Sequence, residues 1–118
     1  MEKYIVDFYS TKKGKQPAKD FLMTLDSKML AKFLRITDLL ENNGPQIGMP
    51  YSKSLEKGIF EIRVIQNSNI IRVLYFFTSN KKIILTNGFT KKSQKTPKAE
   101  IKKALLCKND YERKNENE

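Results

Sequence analysis

The chain has 118 residues, 39% of them hydrophobic and 31% charged, with a net charge of +10, one cysteine and no histidine. Its length points to one domain, 1–118, large enough to withdraw roughly two-thirds of its unfolded surface from water, and its charge favours polyanionic partners. The missing histidine excludes histidine triads, HExxH zinc sites and imidazole acid–base pairs, and a lone Cys107 excludes an intramolecular disulfide and a cysteine-based metal site.

The opening MEKYIVDFYS is too short and polar for a signal peptide, and no apolar run nears the ~20 residues that span a bilayer. The expected location is therefore cytoplasmic, with no membrane partner. KYIVDFY (3–9) is β-branched and aromatic and reads as a strand. Pro17 then suits the first turn of a helix that buries Phe21, Leu22 and Leu25. Asp26 is a good N-cap for a second helix, whose apolar positions 29, 30, 33, 36 and 40, together with Thr37, repeat at the helical period. Gly44 and Pro45 stop it. Residues 45–58 read as a loop with a short extended piece near 52–55.

IFEIRVI (59–65), IIRVLYFF (70–77) and KIILTNGF (82–89) are three strands with short polar links, an antiparallel meander. Thr96 can cap a last helix that begins at Pro97 and turns Ile101, Ala104 and Leu105 inward, with Cys107 as a packing residue. The tail 109–118 is expected to fray. The order β-α-α-β-β-β-α is an α+β class: a helical hairpin and a C-terminal helix on a mostly antiparallel sheet.

Closing the 66–69 link with Ile65 opposite Ile70 sets Val64 against Ile71, Ile62 against Val73 and Phe60 against Tyr75, an apolar core face. A slip of one residue would exchange core for solvent. On the other face Arg63 falls opposite Arg72, and Glu61 opposite Leu74. Like charges directly opposite destabilise a sheet. Two guanidinium groups about 5 Å apart at their β-carbons can instead fork onto one phosphate; the alternative is that each pairs with a carboxylate on a wet face. Between residues 88 and 108 there are seven lysines and one acid, Glu100. The last strand should pair with the Arg72 strand and carry Lys91 and Lys92 to the arginine face. Together these features are expected to form a single exposed cationic patch.

These residues carry a resemblance. KSLEKGIFEIRVIQNSNIIRVLYFF followed by IILTNGFTKKSQKTPKAEIKKAL is similar to the HigB-like branch of the RelE/ParE toxin superfamily over residues 53–105. The run GFTKKSQKTP is its most specific part. The resemblance implies a RelE-like fold and the toxin of a type II toxin–antitoxin system, an mRNA endoribonuclease acting on the ribosome without a metal or other cofactor. It also implies a cognate HigA-like helix-turn-helix antitoxin, with operator DNA bound only through the toxin–antitoxin complex. Carried over residue by residue, it places catalytic weight on Arg63, Arg72, Lys91 and Lys92. Some superfamily members use a histidine or a C-terminal tyrosine as acid or base. This chain has no histidine, Tyr75 falls on the core face and Tyr111 near the tail, so that role stays open.

Metal-free RNA cleavage needs the 2′-OH deprotonated, the phosphorane's extra charge stabilised and the leaving 5′-oxygen protonated. Arginines suit the second task, and a lysine whose pKa is lowered by its neighbours can move a proton. Glu61 is either another base or the partner that orients Arg63. Lys53, Lys57 and Lys95 join Glu61 in the expected RNA-binding surface, with the lysines tracking the phosphate backbone. Two other readings compete: a non-catalytic basic nucleic-acid-binding module, and a ParE-like relative that poisons gyrase by protein contact. Membrane binding through helix 97–108 is weak, because its apolar side has neither Trp nor Phe.

Overall fold

A computed structural model describes residues 3–91 and 95–115. Five strands form one sheet: β1 (Ile5–Phe8), β2 (Ser52–Ser54), β3 (Phe60–Gln66), β4 (Asn69–Phe77) and β5 (Lys82–Lys91). The described helices are α1 (Pro17–Leu22), α2 (Ser27–Asn43) and α3 (Lys98–Asn115). The class is α+β, as the element order leads one to expect. Strand order across the sheet is β1-β5-β4-β3-β2. All neighbours are antiparallel except β1, which lies parallel to β5 with Ile5 beside Lys82.

The β3–β4 register is the one the alternation of side chains requires: Phe60 opposite Tyr75, Ile62 opposite Val73, Arg63 opposite Arg72 and Ile65 opposite Ile70. The ladder closes one pair further, at Gln66–Asn69, and Asn67 turns the corner with φ 58°. Asn tolerates this left-handed conformation better than most residues.

The helical hairpin covers one face. The Asp26 carboxylate accepts from the Met29 amide at 2.8 Å and caps α2. Met29, Phe33, Ile36 and Leu40 then pack on Ile62, Val64, Ile71, Val73 and Tyr75. Gly44 ends the helix at φ +60°, where a Cβ would also lie 2.5 Å from the Tyr4 ring. On α1, Phe21 sits so close to Gly88 of β5 that a Cβ there would be 2.4 Å away. Tyr75 is fully buried on this face, bonded to the Ser52 hydroxyl, and burial pushes its phenol up to about 12.

α3 covers the other face. Ala104 is buried with Ile59, Leu74, Phe76, Ile84 and Tyr9, and Leu105 and Cys107 pack at the margin. Burial pushes the Cys107 thiol up to about 11, the behaviour of a packing residue rather than a nucleophile. The helix does not fray at 109. It continues to Asn115 because its last turns are tied down: Tyr9 donates to Asp110 at 2.6 Å, Lys114 pairs with Asp110 at 2.9 Å and donates to the Ser10 carbonyl at 3.2 Å, and Tyr111 meets Phe76 edge-on at 5.6 Å. No described helix is long and apolar enough to cross a membrane.

Candidate functional site

The register builds three parallel rows on the α3 face. One row is Arg63, Arg72 and Phe89; the next is Lys53, Glu61, Leu74 and Asn87. The third places Ile65, Ile70 and the backbone position of Lys91 side by side. Two arginines therefore do stand opposite each other, at the separation of directly facing pairs.

They do not form the exposed patch that the alternation rule leads one to expect. Arg72 is 0% exposed and Glu61 1%, and the Arg63 side chain keeps only 12%. The reason is that β4 is the central strand and α3 lies over it, so a polar position in the period-2 pattern faces a helix rather than water. A buried charge needs a counter-charge and bonds to its donors. Glu61 supplies the charge: its Oε1 lies 3.5 Å from Arg63 Nε. Thr96 supplies the link. Arg72 Nη1 donates to the Thr96 hydroxyl at 3.0 Å, and that hydroxyl donates to Glu61 Oε2. Burial lowers the Arg72 pKa from its ordinary value; Glu61 opposes that shift and Arg63 adds to it. Glu61 is thus ion-paired with Arg63 and lies beneath the surface rather than on it.

The end of β5 is shaped by a bulge. Tyr75 pairs with Leu85 but Leu74 with Asn87, so Thr86 is the extra residue. Its hydroxyl reaches the Leu74 carbonyl at 3.1 Å. Asn87 Nδ2 then donates to the Glu100 carbonyl at 3.3 Å and to its Oε1 at 3.1 Å, which fastens the first turn of α3 to β5.

The lysines divide. Lys95 is exposed and directly precedes buried Thr96. Lys53 is exposed on the edge strand, opposite Glu61. Lys91 ends β5 opposite Ile70, and Lys92 lies outside the described residues. Lys57 precedes the Phe60 end of β3, next to Gly58, which approaches Lys108 of α3. Phe60 and Ile65, whose row ends at Lys91, are about 17 Å apart along the strand. Tyr75 is on the far face and Tyr111 is held against Phe76, so neither tyrosine belongs to the cluster. Among the described residues no group of three or more Cys, Asp or Glu side chains could hold a metal ion.

Thr96 is the residue that sequence reading assigned to another task, helix capping. The apolar runs VLYFF (73–77) and IIL (83–85) mark strands covered on both faces, but they do not say which segment covers the row beside them. In the structure Thr96, in the segment that leads into α3, roofs that row.

A family model for phage-derived proteins of the Gp49-like type (DUF891) matches residues 20–108. No curated protein matches the chain.

Proposed function

The chain belongs to the phage-derived Gp49-like family, a RelE/HigB-like toxin-type family, and from that premise we propose that it is the toxin of a type II toxin–antitoxin pair that cleaves mRNA on the ribosome. The topology, a helical hairpin and a C-terminal helix on opposite faces of a mostly antiparallel sheet, is compatible with the RelE-like fold. One observation carries the reading. Arg63, Glu61, Thr96 and Arg72 come from three separate sequence motifs and meet in one cluster, an ion pair between Arg63 and Glu61 joined by hydrogen bonds through Thr96 to Arg72, beside exposed Lys95.

In this reading the roles within the cluster differ. Arg63 retains surface and meets the scissile phosphate, where a fixed cation stabilises the phosphorane. Arg72 is sealed off and acts beneath it, balancing Glu61. A lysine of the 91–95 segment gives a proton to the leaving 5′-oxygen as the substrate's 2′-OH attacks and gives up its own proton to solvent water, the P–O2′ bond forming as the P–O5′ bond breaks. Lys53 and Lys95 hold flanking phosphates. The partner is a HigA-like helix-turn-helix antitoxin that masks the basic face and carries the pair to operator DNA, and the working place is the cytoplasm. The burial of Arg72 favours one second reading, a non-catalytic RNA-binding module, because it leaves one guanidinium at the surface instead of two.

The test is induction of the toxin alone in a bacterium. Growth should stop with rapid loss of message, and Arg63→Ala should restore growth while the protein stays folded. Arrest with intact message would move the case to a gyrase-directed toxin, and no arrest to the binding module.

A further inference from the structure

We propose that Thr96 is a positioning residue: its buried hydroxyl ties the Lys95 end of the segment after β5 to the same carboxylate that holds Arg63, and so sets the spacing between the two cations. The proposal rests on the ribonuclease reading for what those cations grip, but the tie itself can be measured without RNA.

Glu61 has two oxygens and gives each a different task. Oε1 faces Arg63 Nε at 3.5 Å and Oε2 accepts from Thr96. The direction of the second bond follows from its neighbour. Arginine can only donate, so Thr96 must accept from Arg72 Nη1 at 3.0 Å. Its single proton is then left for Glu61, which can accept with its charge intact. Thr96 is 7% exposed, and Lys95, one residue earlier, is open to solvent. The chain surfaces at Lys95 directly from an anchored point. Four residues beyond Thr96, Asn87 holds Glu100 through both its carbonyl and its carboxylate. The segment is therefore fixed on the α3 side by two independent sets of bonds, one to β3 and β4 and one to β5.

A threonine suits the position because branching at Cβ restricts χ1 and aims the hydroxyl. Valine keeps that shape and removes the bonds to Arg72 and Glu61. Serine keeps the bonds and loses the methyl. The pair therefore separates anchoring from packing.

In ribosome-dependent cleavage of a defined message by the full-length protein, Thr96→Val should lower kcat roughly 10- to 100-fold with KM within about twofold. Thr96→Ser should stay within about threefold of wild type in both. A Thr96→Val protein that cleaves at the wild-type rate overturns the proposal. The second readout is tryptic cutting of the native protein at Lys95–Thr96, compared with cutting after exposed Lys12 and Lys13. A selective rise at Lys95–Thr96 in Thr96→Val, reversed in Thr96→Ser, supports the tie. No rise, or an equal rise at every lysine, overturns it. If wild-type protein cleaves no RNA, the ribonuclease reading falls and the tryptic comparison alone decides whether Thr96 anchors the segment. Should Thr96→Val fail to fold, Glu61→Gln takes its place. That change weakens the Thr96 anchor and the ion pair to Arg63 while leaving the Asn87–Glu100 bonds in place, and should give the same selective cutting at Lys95–Thr96; unchanged cutting there refutes the tie.

Discussion

The two faces of this sheet are closed by different means. On the α2 face, aliphatic and aromatic side chains from four strands meet Met29, Phe33, Ile36 and Leu40, and Tyr75 with Ser52 forms the one buried side-chain hydrogen bond described within that layer. On the α3 face, Leu74, Phe76 and Ile84 share their layer with Arg72, Glu61, Thr96 and Asn87. Burial of apolar area at roughly 25 cal/mol per Å² explains the first face. It does not explain the second, because a buried ion pair of this kind is often no more stable than apolar residues of the same volume. The comparison separates the part of the sheet that drives folding from the part that holds charges in place at a cost in stability.

Changes on the α3 face should give the largest effects. Arg72→Ala removes one of the two guanidinium groups beside buried Glu61 and takes the donor from the Thr96 hydroxyl, and should destabilise the protein by about 3 kcal/mol in urea unfolding. The sharper form pairs Arg72→Met with Thr96→Val, which removes the donor and its acceptor together and leaves Glu61 to Arg63. Stability should return to within about 1–2 kcal/mol of wild type, while growth arrest stays lost. A double variant that is stable and still toxic would break the distinction between the faces. On the α2 face, Leu40→Ala should cost about 3 kcal/mol by opening a cavity, and the residual folded protein should keep its toxicity at low temperature.

The smallest effect lies where α3 ends. The bond from Tyr9 holds the Asp110 carboxyl at about 2, below its ordinary 3.8, with Lys114 and Arg113 adding to the shift and partial burial opposing it. A depressed acid stabilises the fold above its unfolded value and loses that contribution as it is protonated. The stability of wild type should therefore fall between pH 4 and pH 2 more steeply than that of Asp110→Asn, read as urea midpoints across that interval. Tyr9 responds at the other extreme. Burial first, then its bond to Asp110, raises the phenol above its ordinary range, so its contribution is lost only in strong alkali.

Much of the fold was legible because its signals are local. Asp26, Pro17, Gly44 and the period of α2 mark helix limits by backbone chemistry, and the alternation from Phe60 to Ile65 fixes a register that a one-residue slip would ruin. The opposition of Arg63 and Arg72 follows from that register alone. Their burial does not, because alternation separates two faces without saying what lies against each. That depends on the path of α3, whose contacts join residues about 100 positions apart, such as Tyr9 and Asp110. Thr96 was misread for the same reason. Before a proline that opens a helix, a threonine has the local signature of a cap, and only the folded sheet brings Glu61 and Arg72 within reach.

The parallel pairing of β1 with β5 has a consequence for how the protein is made. β1 is translated early, yet its hydrogen-bonding partner leaves the ribosome only after β2, β3 and β4. Until then α1 and α2 have no complete sheet to cover, and contacts this distant in sequence close slowly. The cluster of Arg63, Arg72 and Thr96, drawn from β3, β4 and the residues that follow β5, therefore comes together only once all five strands are available.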